Sequence, residues 1–169
     1  RVDRFVGQLR FAVGLVLDTS GSMRESIGEA KHAAGDFLAE VVRATDRCFA
    51  VGFSDRPRLL MPLTPDVQAV QIAFRDLPAV GNTALHDAMV FALYQLRGIR
   101  GRKAIVLLSD GDDTSSLVSY EDALEFARRS GAAIYAIGLD VGATKMTIRS
   151  KLEKLAAETG GRSYFVAKA

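Results

Sequence analysis

The chain has 169 residues, of which 49% are hydrophobic and 25% charged, and its formal net charge is +2. That length and balance suit one soluble domain with a substantial core, and so small a charge argues against nucleic acid as a partner. A lone cysteine, Cys48, excludes an intrachain disulfide, and no apolar run is long enough to span a bilayer, so this segment is not expected to insert into a membrane.

Residues 1–9 carry little pattern and read as an N-terminal extension or linker. The chain opens on Arg1 without a methionine, as a domain of a longer protein would, with the domain proper at 10–169. The valine- and leucine-rich run 11–17 predicts a buried parallel strand. It ends on Asp18-Thr19-Ser20-Gly21-Ser22-Met23. Asp, Ser and Ser at alternate positions put three oxygens on one side of an extended turn. Hard oxygens grouped this way suit Mg²⁺, Mn²⁺ or Ca²⁺ and not zinc.

Apolar residues then recur at Ile27, Ala30, Ala34, Phe37, Leu38 and Val41, a helical spacing. Strands follow at 48–53 and 58–63, joined by the turn Ser54-Asp55-Arg56-Pro57. So short a link predicts an antiparallel hairpin, because a parallel pair needs a long crossover. Thr64-Pro65-Asp66 predicts a helix capped by the threonine hydroxyl, with proline in its first turn, running to about Asp76. Leu85, Ala88, Met89, Ala92, Leu93 and Leu96 mark the next helix, entered through the loop Gly81-Asn82-Thr83. A strongly apolar strand at 104–108 leads into a second acidic, hydroxyl-rich loop, Ser109-Asp110-Gly111-Asp112-Asp113-Thr114. Ser119 and Asp122 fit a helix start. A strand at 132–139, a helix marked by Ile148, Leu152, Leu155 and Ala156, and a strand at 163–166 complete the chain.

This alternation predicts an α/β fold: a doubly wound, mostly parallel six-stranded sheet with one antiparallel edge strand and helices on both faces. Ligands of such sheets sit at the carboxyl ends of the strands, where the winding reverses. Both acidic loops leave strand carboxyl ends, and the loop 81–83 enters a helix from the same pole.

On these elements, Asp18-x-Ser20-x-Ser22, Gly81-Asn82-Thr83 and Ser109-Asp110-Gly111 resemble a von Willebrand factor type A (VWA) domain. The resemblance runs from Arg10 to Val166. The phrases Phe53-Ser54-Asp55, Leu63-Thr64-Pro65-Asp66 and Glu158-Thr159-Gly160-Gly161 are similar to bacterial VWA-related proteins, which are often exported or cell-surface. The resemblance implies a metal-ion-dependent adhesion site. Ser20, Ser22 and Thr83 would be hydroxyl ligands, and Asp18 and Asp110 the acids, binding directly or through water. It implies a divalent cation, Mg²⁺ first, with Mn²⁺ or Ca²⁺ as alternatives. It implies a partner protein presenting Asp or Glu, and an exported setting ahead of a cytoplasmic one. Many relatives carry a further helix after the last strand, whose sliding accompanies affinity switching and for which this sequence has no room; the resemblance then implies either a metal-binding domain without that switch or an exposed apolar groove where the helix would pack.

Plain structural readings stand beside these. Ser22 and Glu25 make a capping box for the first helix, and Thr83 a cap for the helix that follows it. Two acids at neighbouring strand ends are harder to explain without a positive group between them. Asp112 and Asp113 read as solvated loop residues and Asp87 as an acid favouring a helix start. Arg24 reads as a surface residue, Cys48 as a small buried apolar one, and Arg97, Arg100, Arg102 and Lys103 as a solvated turn at the opposite pole. His32 and His86 have no partners at ligand spacing. A metal-dependent hydrolase or phosphoryl-transfer domain is an alternative. Against it stand the absence of a Gly-x-x-x-x-Gly-Lys loop and of an aspartate nucleophile pair. No catalytic residue is expected. A metal-stabilised structural domain without a ligand is a second alternative.

Overall fold

The computed structural model describes residues 10–167. Its sheet has six strands in the order β3-β2-β1-β4-β5-β6. These are β1 (Phe11–Asp18), β2 (Arg47–Phe53), β3 (Pro57–Thr64), β4 (Arg102–Ser109), β5 (Ala133–Leu139) and β6 (Ser163–Val166). All pairs are parallel except β2–β3, the expected antiparallel hairpin at one edge. The central strands β1 and β4 read as continuous apolar runs because both of their faces are covered. Seven of the eight residues of β1 are buried, whereas edge strand β3 has none that is fully buried.

Five helices flank the sheet: α1 (Ile27–Val41), α2 (Val67–Phe74), α3 (Leu85–Gln95), α4 (Tyr120–Ser130) and α5 (Met146–Ala157). One core layer lies under α3, α4 and α5, with Val16, Phe49, Met89, Ile105, Leu107 and Ile134 at its centre. The other lies under α1 and α2, around Leu15, Leu17, Leu38, Cys48, Val106 and Leu108. On that second face Tyr164 and Val166 of β6 remain half exposed. No helix among the described residues is long and apolar enough to cross a membrane.

Two helix starts differ from expectation. The cap of α2 is Asp66, whose carboxylate accepts from Ala69 N at 3.2 Å, and the helix ends at Phe74. Thr64 cannot serve because it is still paired with Cys48 in the hairpin, so Pro65 precedes the helix. Likewise Ser22 and Glu25 form no capping box for α1. Residues Gly21–Met23 make a 3₁₀ turn, and the helix proper begins after Ser26. The extension or linker expected at 1–9 lies outside the described residues. Cys48 is buried, which pushes its thiol up to about 11. Arg100 and Arg102 lie exposed at the amino pole of the sheet.

Candidate functional site

The winding of the sheet reverses between β1 and β4, and their carboxyl ends stand side by side. Asp18 is the last residue of β1 and is fully buried. Its Oδ1 accepts from Ser20 N at 2.9 Å, which bends the chain out of the strand. Its Oδ2 accepts from the Ser109 hydroxyl at 2.6 Å, tying the two strand ends together. Ser109 Oγ in turn accepts from Gly111 N at 2.9 Å and so shapes the start of the second acidic loop. Ser20 Oγ lies 3.0 Å from Ser22 Oγ.

Thr83 arrives from the other side, 4% exposed. The cap of α3 is Ala84, which has no capping side chain, so Thr83 is not the helix cap. Its backbone is clamped by the loop after β4. Thr83 N donates to Thr114 Oγ1 at 2.9 Å, and Thr114 N and Ser115 N donate to Thr83 O at 2.8 and 3.2 Å. The loop 81–83 is also fixed to the first motif through Gly21 N, which donates to Gly81 O at 2.9 Å. Gly81 has φ of +92°, and a Cβ there would meet Asp55 Oδ2 at 2.8 Å, so glycine is required.

The fold thus brings the five sequence-selected residues to one pole. Ser22, Thr83 and Asp110 line a single cleft of about 290 Å³. Asp18 and Ser20 lie buried beneath Ser22. Burial pushes the Asp18 carboxyl up to about 6. The nearby Asp110 charge adds to the rise, while hydrogen bonds from Ser109 and Ser20 oppose it. Asp110 Oδ1 is buried and has no hydrogen-bond partner. A carboxylate oxygen left so is costly unless something positive faces it.

This observation is the test of fit for a cation. Two acids supply negative charge, three hydroxyls supply neutral oxygen, and one buried acceptor waits for a positive group. That donor set matches a hard divalent ion. Among the described residues no group of three or more His, Cys, Asp or Glu side chains could hold a metal, so any ion here relies on the hydroxyls.

Several contributors carry no signal in the sequence. Ser109 has a structural role at Asp18 that its place in the motif did not reveal. Lys145 lines the clefts on both sides of Asp110, and Arg24 lines one of them. Asp112 is exposed as expected, but Asp113 is not a solvated loop residue. Its side chain is 15% exposed, its Oδ2 accepts from His86 N at 3.0 Å and from the Ser116 hydroxyl, and it faces His86 Nδ1 at 3.4 Å. Asp87 does more than favour a helix start, since its carboxylate accepts from Leu117 N and Val118 N. His32 faces only Asp36, both exposed.

Known proteins share the family and the fold. The chain is 32% identical over 124 residues to a UPF0353 protein of Mycolicibacterium paratuberculosis, covering 66% of this chain and 37% of that protein. It therefore spans well under half the length of that curated relative. Among solved structures, BatB of Bacteroides thetaiotaomicron superposes with a TM-score of 0.74 at 17% identity, covering 94% of this chain and 91% of that one. The pilus adhesin SpaC of Lactobacillus rhamnosus GG gives 0.77 at 16% identity, over 95% of this chain and 28% of its own. A von Willebrand factor type A protein from Catenulispora acidiphila gives 0.77 at 19%, over 95% and 39%. At such identities these structures speak for the fold alone. The family model of the von Willebrand factor type A domain matches residues 13–112, more than half of the chain, and the chain belongs to that family.

Proposed function

We propose that the domain is a protein-binding module whose recognition site is completed by a divalent cation, Mg²⁺ ahead of Mn²⁺ or Ca²⁺. Asp18, Ser20, Ser22, Thr83 and Asp110 would hold the ion. The buried, unpartnered Oδ1 of Asp110 carries this reading. The bound ion would supply a positive centre for a carboxylate oxygen of Asp or Glu from a partner protein. The chain's own residues do the rest. Asp18, gripped by Ser20 N and the Ser109 hydroxyl, is held at the floor. Three hydroxyls leave the cleft short of negative charge, so an outside acid remains welcome. The Ser109 hydroxyl donates a hydrogen bond to Asp18, and His86 Nδ1 faces Val118 O and Asp113. Neither arrangement prepares a nucleophile, which favours binding over catalysis.

The pilus tip protein of Porphyromonas gingivalis and the pilus adhesin SpaC share the fold. They lend support to an adhesive role and to an exported setting.

Calorimetric titration with Mg²⁺ and Mn²⁺ tests the site. Asp18→Ala is expected to abolish binding while circular dichroism shows an intact fold. Unchanged divalent affinity in that variant would mean that the ligands are misassigned.

A further inference from the structure

The net charge of +2 is an average over two unlike ends. The carboxyl pole holds both acidic loops. The amino pole, where β1, β2 and β4 begin, is basic, and strand register gathers its cations. Ala12 of β1 pairs with Arg47 on one side and Lys103 on the other. Neighbouring strands run about 5 Å apart, so the backbones of Arg47 and Lys103 lie about 10 Å apart across β1. Phe11 pairs with Arg102, whose N–H donates to Arg10 O at 3.0 Å. The turn from α3 into β4 adds Arg97 and Arg100. Arg10, Arg97, Arg100 and Arg102 are exposed.

None of these cations forms an ion pair among the described residues. The acid next to Arg47 is already used. Asp46 is 1% exposed, accepts from Phe11 N at 2.9 Å and Arg43 N at 3.0 Å, and faces Arg43 Nε at 3.6 Å. Farther out, Glu125 and Glu158 pair with Arg128 and Arg129, and Glu40 and Asp66 are matched in number by Lys154 and Arg162. Helix carboxyl ends favour cations. That accounts for Lys103, whose Nζ would lie 3.9 Å from a Cβ at Gly131, the cap of α4. It does not account for Arg10, Arg47 and Arg102, which belong to strand starts. Arg102 lies over the Phe11 ring at 5.3 Å and Arg97 over the Tyr94 ring at 4.3 Å. Stacking holds a guanidinium in place without using its N–H donors.

The shape of the pole selects the anion. Strands that begin side by side present their cations as a broad face, and the hairpin turn lies at the other pole, so no ribbon projects here to enter a nucleic-acid groove. Arginine forks suit phosphate oxygens. Tyr94, 49% exposed beside Arg97, has the apolar body and polar tip that suit a headgroup layer. We infer that the amino pole docks the domain on an anionic membrane surface, with its arginines on lipid phosphates and the cation cleft turned away from the bilayer. The attachment is to the surface, without insertion, and it does not depend on the cation reading.

Co-sedimentation with phosphatidylcholine vesicles, with and without phosphatidylglycerol, at low salt and in chelator, tests it. Binding is expected only with phosphatidylglycerol and is lost at high salt. The double variant Arg97→Glu, Arg100→Glu should weaken it about 25-fold. Arg56→Glu with Arg58→Glu changes the total charge equally but lies toward the other pole, and should stay within about twofold of wild type. Both variants should keep the wild-type melting temperature, and Asp18→Ala should bind vesicles as wild type does. No binding to phosphatidylglycerol, or equal binding to pure phosphatidylcholine, overturns the inference. So does an equal loss in the Arg56, Arg58 variant, which would make net charge the cause. Tighter binding to a DNA duplex at the same salt, or self-association in sedimentation velocity that Arg97→Glu, Arg100→Glu abolishes, would give the pole to another partner and overturn the lipid assignment.

Discussion

Two spaces of different character meet at the loop after β4, where Asp110 lines one, Gly111 the other and Asp112 both. On one side is the cleft lined by Ser22, Thr83 and Asp110, about 290 Å³ in volume. On the other is a pocket of about 200 Å³ between α3, α4 and α5, lined by Leu85, Met89, Tyr120, Leu152 and Leu155, with Asp112, Asp113 and Lys151 at its polar rim. The cleft is built from oxygens whose positions are set by strand ends and backbone hydrogen bonds; moving one strands another. The pocket is built mainly from apolar side chains of three helices, which no hydrogen bond fixes. The same loop therefore borders a region that tolerates almost no change and one that should accept added volume. Gly111, between Asp110 of the cleft and Asp112, lines the pocket with no side chain of its own. Its φ is +89°, and a Cβ there would lie 2.3 Å from Ile148 Cγ2 of α5.

Breaking the junction should have the largest effect. Gly111→Ala forces an L-residue into the left-handed region and into Ile148 at once. A loss of about 3 kcal/mol in chemical denaturation is expected. Asp110, its neighbour, should be displaced and divalent binding weakened. A variant as stable as wild type would show that the loop is not held as described.

The next effect sharpens the polar side. Asp18 has its carboxyl raised to about 6, chiefly by burial, from an ordinary value of 3.8. Between those two values the folded chain holds a proton that the unfolded chain has released. Stability in chelator should therefore fall as pH rises from about 4 to about 6 and stay level above that, a loss on the order of 3 kcal/mol. Asp18→Asn copies the neutral form. Its oxygen can still accept from Ser20 N, and its amide can donate to Ser109 Oγ. In chelator the variant should match wild type near pH 4 and exceed it near pH 7.5. Parallel pH profiles for the two proteins would show that the Asp18 charge is not the burden. Saturating Mg²⁺ should narrow the gap at neutral pH, because only wild type gains the ion.

What could be read from the sequence follows the same division. Strands β1 and β4 were legible because two-sided burial demands unbroken apolar runs. The hairpin was legible because a four-residue link cannot cross over. The pole of the site followed from winding alone, and Asp18, Ser20, Ser22, Thr83 and Asp110 do gather there. Contacts made across long stretches of chain were not legible. Ser109 reaches Asp18 over 91 residues, and Asp113 and Ser116 satisfy the first N–H groups of α3 from 27 and 29 residues away. No local pattern announces such bonds. The misread caps have a related cause. Thr64 and Asp66 are both good caps, and only the pairing of Thr64 with Cys48 in β3 decides between them. Ser22 fits a capping box by spacing, but the 3₁₀ turn delays the helix.

The smallest effect belongs to the apolar side, and it has the opposite sign. Ala123 is 2% exposed on α4 and faces the cavity. Leucine is as acceptable to a helix as most residues, and its extra methylenes have an empty space to enter. Leu152 and Leu155, which line that space, also pack in the core under α3, so closing it would cost them contacts there. Ala123→Leu should therefore raise stability by about 0.5–1 kcal/mol, read as a higher denaturation midpoint with unchanged slope. Because Ala123 does not line the cleft, Mg²⁺ affinity should stay as in wild type. Weaker divalent binding in this variant would show that cavity and cleft are one mechanical unit, and that the contrast between them is of chemistry alone.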